Sequence, residues 1–537
     1  AYNALYKATW NYEWRSSAFY QIATIDCIRH DWETALEHLD GSLATNRDHN
    51  KAITLRALVL HRTGRSRDAI SSLEAHLTTD PLDHWAAVAI DLIRSGAITI
   101  PASSRNDAQT ILDLAFDFAE AGWIQEAIDL LETHQSSEVS QVAVPNPLER
   151  TAMTAYAIAW LKSRVGATDA RASLESARSS PADHFFPSRL DEMDLLEWAL
   201  AQPGDDSLAA YGLGNLLFDK RRHADAIACW DRAAASGTNI PQVHRNLGIA
   251  IWNHHGDGER AAACYTKARE LDPADARLVS ESDQLARKRN MPLEERLEFL
   301  ETHRDLALQR DESTVEIASL LNLTGRPEEA LDLILSRRFH PWEGGEGAVL
   351  RQYTSARLLI GERALDRGDA EEALKQFSLA MDTPDSLGEA YHPLQAKADV
   401  NHWIGRSLKA LGRTKEAEAA FTASAAESGD FTSMAVAEHS PLSYFRGLSL
   451  RELGRENEAQ AVFRAMLDYA SASKQQPAKI DYFATSLPNL LVFDEDLKAH
   501  RDAGADLIAA LAYHSLGNID KAEAAVRRTL AFDRSQP

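Results

Sequence analysis

A small residue, an alanine and a large apolar residue return along this chain at one fixed spacing. Gly-Arg-x-x-x-Ala or a close relative appears at Gly64-Arg65…Ala69, Gly122…Ala127, Gly325-Arg326…Ala330, Gly412-Arg413…Ala417, Gly454-Arg455…Ala459 and Gly517…Ala522. Four positions after each alanine stands Leu73, Leu131, Ile334, Phe421, Phe463 or Val526, and twelve before it stands Ala57, Ala115, Ala318, Gly405, Gly447 or Ala510. The pattern predicts antiparallel helix pairs joined by tight turns. The small residue and the alanine allow close backbone approach, and the large residue fills the space between pairs. The glycine ends the first helix, where a left-handed conformation costs it little. No pair can bury its apolar face alone, so neighbours must stack. No strand pattern of any length is visible, and the predicted fold class is all-α.

The frame divides the chain into four stretches: 1–134, 135–205, 206–312 and 313–537. In the first, repeats run near 17–48 and 51–82, with Ala35 and Ala69 separated by 34 residues. A third centres on Ala115 and Ala127. Prolines at 145, 147, 181, 187 and 203 interrupt the irregular second stretch, where Ala152–Lys162 and Ala170–Ala177 read as helices and Ser180–Pro187 as a loop. Two close matches, Ala210–Ala235 and His244–Pro273, open the third, and a degenerate repeat is expected over 276–310. In the last, Ala330, Ala373, Ala417 and Ala459 lie 43, 44 and 42 residues apart, so each pair carries about nine extra residues. Those insertions hold His340-Pro-Trp-Glu-Gly-Gly-Glu-Gly, Tyr391-His392-Pro393 and His439-Ser440-Pro441, and they are expected to project from one side of the stack. A longer excursion, Ser471–Lys498, precedes a last repeat at Asp506–Asp533.

Frame and period together resemble the tetratricopeptide repeat (TPR), a helix–turn–helix of about 34 residues. The resemblance implies a right-handed superhelix of about ten to twelve helix pairs. It also implies a non-catalytic scaffold for protein–protein or interdomain binding. Two segments carry a narrower resemblance: Arg338-Phe-His-Pro-Trp-Glu-Gly-Gly-Glu-Gly347 and Tyr6-Lys-Ala-Thr-Trp-Asn-Tyr-Glu-Trp-Arg-Ser16. They are similar to segments of a bacterial family in which a β-rich, mutarotase-like domain of unknown function precedes a long TPR array. That similarity implies that the chain is the helical part of such a protein and that a β-rich N-terminal domain is its first partner. It also implies an alternative function, as part of a carbohydrate-binding or carbohydrate-active protein. The opening at Ala1, without methionine and already helical in pattern, gives the same expectation of a longer native polypeptide.

Composition narrows the partners. The chain has 537 residues and a formal charge of −23, from 80 acidic against 57 basic residues. That balance opposes a nucleic-acid binder, which needs basic surface to displace counterions from phosphates. Cys27, Cys229 and Cys264 are scattered and odd in number; buried free thiols in a reducing, cytoplasmic compartment are expected. No run approaches the roughly 18 apolar residues of a membrane span.

Candidate chemistry concentrates in the insertions. His340, Trp342, Glu343 and Glu346 share a glycine-rich loop, and His392 occupies the next insertion. Trp342 has two open readings. It stacks on a ligand or partner while Glu343 and Glu346 accept hydrogen bonds, or it plugs a gap between repeats. His340, His392 and His439 stand at equivalent points, where convergence in space is one reading and local capping another. The aromatic run Tyr6, Trp10, Tyr12, Trp14 reads as a covered end of the stack or as a seam with another domain. His254-His255 with Asp257 and Glu259 lacks ligand spacing, and no metal site or cofactor is expected. Phosphate-binding, dinucleotide and hydrolase motifs are missing from the sequence, so no catalytic residue is assigned.

Overall fold

Wherever the twelve-and-four spacing falls, a small residue of one helix sits beneath a side chain of its partner, sixteen or seventeen positions on. A Cβ built at Gly214, Gly361, Gly405 or Gly447 would lie 2.4–2.5 Å from Trp230, Phe377, Phe421 or Phe463, and one at Gly248 would lie 2.9 Å from Tyr265. Where the small residue is alanine, the partner is smaller: Ala57 with Leu73, Ala115 with Leu131, Ala318 with Ile334, all buried. Ring against glycine and aliphatic against alanine keep the interhelical gap filled without strain.

The computed structural model describes residues 1–104, 107–136, 152–340, 342, 345–432, 435–478 and 492–535. These form 28 α-helices and one short hairpin, so the fold is all-α in every substantial element. The frame also explains the turns. At Gly64, φ is +81° and the N–H of Arg65 returns to the carbonyl of Leu60 at 2.8 Å, closing the first helix in the left-handed manner glycine permits. The arginine of the frame then pairs with an acid three residues on, as in Arg65–Asp68, Arg222–Asp225, Arg326–Glu329, Arg413–Glu416 and Arg455–Glu458. That acid lies in the first turn of the second helix, where the helix dipole favours it.

The chain forms two compact units, Ala1–Val243 and His244–Pro537. In the first, helix Tyr12–Ile28 pairs with Trp32–Thr45 and Asn50–Arg62 with Ser66–Thr79. A single helix, His84–Ser95, follows. The pair Ala108–Glu120 and Ile124–Ser136 then docks back on the first two: Lys51 reaches Asp117 at 2.5 Å, Arg62 reaches Glu126 at 2.7 Å, and Trp123 packs on Trp32. Helices Ala152–Arg164 and Ala170–Arg178 match their sequence expectation closely. Phe185, in the expected loop, is fully buried against Tyr156 and Gly212.

In the second unit the expected degenerate repeat is helix Ala276–Lys288 followed by a broken partner, Leu293–Thr302 and Arg304–Ala307. The pairs from Asp311 to Gln475 follow the frame, and helices Leu497–Ser515 and Ile519–Phe532 form the last pair. Three sequence expectations need correction. Asp430–Thr432 and Ala435–Ala437 form an antiparallel hairpin, with Phe431 opposite Val436; strands of three residues are too short for alternation to register. Val526, on helix Ile519–Phe532, the last of the described helices, is 40% exposed rather than wedged between repeats. Only Cys27 is fully buried; Cys229 and Cys264 are half-buried on helices. Burial pushes the thiols of Cys27 and Cys229 up to about 12 and about 11.

Candidate functional site

One glycine of the 340–347 loop, Gly345, serves its tryptophan. Trp342 is half-buried on the core built from Leu297, Ile317, Phe339 and Leu350. Its indole lies directly over Gly345, where a Cβ could not fit. Gly347, at φ +73°, begins helix Ala348–Asp366; the N–H groups of Gly347 and Leu350 donate to the two carboxylate oxygens of Glu389, at 2.6 and 2.7 Å. Glu389 comes from the following insertion, so the helix N-terminus already holds an anion of the protein itself. His340 is exposed; its backbone N–H donates to Asp311 at 2.9 Å, and Arg337 donates to the other oxygen of that carboxylate. Glu346 is exposed on the same loop. Glu343 lies outside the described residues.

Successive insertions lean on one another. Phe339 N–H donates to the carbonyl of Ser386, Ala396 N–H to the carboxylate of Asp430, and Phe431 N–H to the carbonyl of Leu394. Tyr391 donates to the carbonyl of Ala380, and Lys397 sits 4.1 Å over its ring. The imidazole of His392 stacks on Phe431 at 3.8 Å. His439 is buried against Tyr469 and faces Ser443. The three insertion histidines thus have separate partners: Asp311, Phe431 and Tyr469.

Beneath the insertions runs a directed hydrogen-bond chain. Ser424 Oγ donates to the carbonyl of Ala398 at 2.7 Å, and Ser449 Oγ donates to Ser424 Oγ at 2.8 Å. With its proton so committed, Ser449 can only accept from Nδ1–H of His402, 2.9 Å away, which fixes that tautomer. His402 is 2% exposed, and burial together with Arg406 lowers its pKa to about 4. The ordinary value is near 6.5, so between pH 6.5 and 4 the unfolded chain binds the extra proton and acid destabilises the fold. The full loss is on the order of 3 kcal/mol. Urea midpoints of wild type and His402→Gln are expected to converge as pH falls from 7 to 4. Parallel pH profiles would remove His402 as the cause.

A further site in the second unit lies outside anything the repeat frame marks. Residues Val492–Glu495, which bend at Val492 and Phe493, lie against helices Pro241–His255, Gly258–Leu271 and Ala276–Lys288. Phe493 is 3% exposed, its ring 6.4 Å from Trp252 and 5.8 Å from Tyr265. Gly248 lets Tyr265 sink between the helices, and its hydroxyl donates to Glu281, which Arg245 holds from the other side. Asn253 donates to the carbonyl of Val492 at 3.1 Å and accepts from the N–H of Asp494 at 2.8 Å; Trp252 Nε1 donates to the Asp494 carbonyl at 3.2 Å. Glu495 pairs with Lys288 at 3.0 Å and His500 at 2.9 Å, and those two hold its carboxyl down at about 2. A short acid-rich stretch after one phenylalanine was the only signal available, and it does not name a partner 240 residues away.

At the N-terminus the aromatic run divides. Tyr2 donates to Asp26 at 2.9 Å and Tyr6 touches the imidazole of His38, tethering the first helix. Trp10, Tyr12 and Trp14 are 80%, 69% and 62% exposed. Among the described residues no group of three or more His, Cys, Asp or Glu is arranged to hold a metal, and no helix is long and apolar enough to cross a membrane.

The family described as tetratricopeptide repeat matches residues 194–239 and 211–276, the segments with the Gly214–Trp230 and Gly248–Tyr265 contacts. Several solved structures are similar to this chain. A tetratricopeptide repeat protein from Parabacteroides merdae is 14% identical, over 56% of this chain and 98% of its own, with a TM-score of 0.23. Yeast Tom70 is 13% identical, over 78% and 92%, with a TM-score of 0.22. A chain of the APC/C hetero-tetramer Cut9–Hcn1 is 12% identical, over 97% and 94%, with a TM-score of 0.26.

Proposed function

We propose that this chain, built of packed helix pairs that include tetratricopeptide repeats, is a non-catalytic scaffold holding protein partners. The observation that carries this reading is the exposed trio Trp10, Tyr12 and Trp14. Large rings crowded within five positions present apolar faces and hydrogen-bonding edges together, the composition of an interface core. The formal charge of −23 argues for a protein cover over a phosphate backbone. A separate protein or a β-rich domain of the same polypeptide would fit. The insertion side offers a second contact, from His340, Trp342, Glu346 and His392, with Glu343 added from the sequence of the same loop. Thiols such as Cys27 suit a reducing, cytoplasmic setting.

The test is affinity purification of the full chain from its source cells, beside Trp10→Ser/Trp14→Ser. A protein retained by wild type and reduced about tenfold or more by the double variant is expected, as for aromatic anchors. His340→Ala/Glu346→Ala is expected to weaken the same partner about two- to fivefold, as rim residues do. Equal recovery with all three chains would overturn the reading. So would a sugar that raises the melting temperature while no protein is retained; that outcome would favour the carbohydrate alternative.

A further inference from the structure

The segment Val492–Glu495 is held in the way a bound peptide is held. Asn253 clamps the main chain with a donor and an acceptor on alternate residues, a contact indifferent to the side chains it spans. Trp252 adds a third main-chain bond. Between the clamps, Phe493 enters a slot made by two aromatic rings. Two residues on, a carboxylate meets Lys288. A main-chain clamp, one aromatic pocket and one charge pair together specify a short motif: an aromatic residue, any residue, then an acid. Ordinary packing between neighbouring helices needs no asparagine clamp on the main chain of a non-helical segment.

We infer that the groove of Trp252, Asn253, Tyr265 and Lys288 is a peptide-binding site filled in cis by Val492–Glu495. Its trans ligand is a non-helical protein segment with an aromatic residue followed at the second position by Asp or Glu. This deepens the scaffold reading, on which it rests, by naming the partner's chemistry at one place. The cis segment competes as a tethered ligand whose effective concentration is on the order of millimolar, so a free peptide reaches the groove only when the tether is weakened. An acidic ligand on an acidic protein also explains why the groove supplies a lysine: Lys288 offsets local repulsion that would otherwise exclude the motif.

The probe is a fluorescein-labelled peptide of this chain's residues Val492–Lys498, titrated by anisotropy into the full-length protein. Wild type is expected to bind it at least about tenfold more weakly than Phe493→Ala, in which the cis anchor is gone. Glu495→Arg keeps the buried ring and repels Lys288; it is expected to open the groove as well, and it serves should Phe493→Ala fail to fold. Adding Asn253→Ala or Lys288→Glu to either opened variant is expected to weaken the peptide about tenfold or more, and a peptide with alanine for phenylalanine is expected not to bind. Equal affinity for wild type and opened variants, or no binding to folded opened variants, overturns the inference and leaves the segment as a structural clasp. Failure here with the Trp10/Trp14-dependent partner intact would leave the scaffold reading standing. Peptide binding without that partner would remove the aromatic-end reading alone.

Discussion

Gly405→Ala and Gly447→Ala are each expected to destabilise the protein by about 2–3 kcal/mol, the cost of overpacking a close-packed site. The sign is what matters. Alanine in mid-helix is intrinsically better than glycine by about 1 kcal/mol, so propensity alone predicts a gain. At these positions the new methyl carbon would sit 2.5 and 2.4 Å from the rings of Phe421 and Phe463, and both rings are buried with nowhere to move. Gly504 supplies the control: it lies inside helix Leu497–Ser515 with nothing within 4 Å of a built Cβ. Gly504→Ala is therefore expected to stabilise, by up to about 1 kcal/mol. The native array also supplies the rescue. Gly405→Ala combined with Phe421→Leu reproduces the Ala57–Leu73 pairing, and the double variant is expected to lose at least about 1 kcal/mol less than the two single losses summed. Denaturant midpoints of the four chains decide the matter; a stabilising Gly405→Ala would mean that the ring yields and the glycine is not a packing device.

That pairing is also where the sequence was most informative. Its reach is sixteen or seventeen residues, so both members lie within one local unit, and several repeats show the same solution in different residues. The degenerate repeat over 276–310 was anticipated from spacing alone, because a frame carries across a gap. What escaped was non-local or unrepeated. Helix His84–Ser95 packs on helices Asn50–Arg62 and Ser66–Thr79 without opening a pair of its own, and so has no frame to complete. Phe493 and Trp252 are separated by 241 residues, and neither residue's neighbours encode the other. In the 340–347 loop the sequence singles out Trp342 but leaves its role open. The overlap of the indole with Gly345 ties the glycine to packing, while His340 and Glu346 remain in solvent. The histidines at equivalent insertions did not converge, because each insertion leans on its neighbour through a different set of main-chain bonds.

Arg296→Ala is expected to cost about 3–5 kcal/mol, the range for deleting one member of a buried ion pair. Its guanidinium is 1% exposed and makes four hydrogen bonds: Nε and Nη2 donate to Asp283 at 3.0 and 2.7 Å, Nη2 also to Glu316 at 2.6 Å, and Nη1 to Ser535 at 2.7 Å. The chain's last described residue is thus fastened to a helix near the start of its unit. Removing the cation leaves Asp283 without its ion-pair partner and Glu316 with Arg287 at 3.5 Å. Burial already pushes the Asp283 carboxyl up, and Arg296 is the main group pulling it back. In the variant that pull is gone, so Asp283 stays protonated in the fold to higher pH than in the unfolded chain, where it titrates near 3.9. A folded pKa above the unfolded one gives stability that is present at low pH and lost as pH rises. The defect of Arg296→Ala is therefore expected to be small near pH 4–5 and largest near pH 8, whereas a simple loss of packing would be the same at both. Arg287→Ala tests the neighbouring pair with Asp533, whose arginine is 41% exposed; it is expected to cost less than about 1 kcal/mol. Hydrogen exchange in helix Ile519–Phe532 separates the two roles of Arg296. Faster exchange there with the rest of the unit protected means that the arginine clasps the C-terminal pair, while uniform loss of protection means that it holds the core of the whole unit.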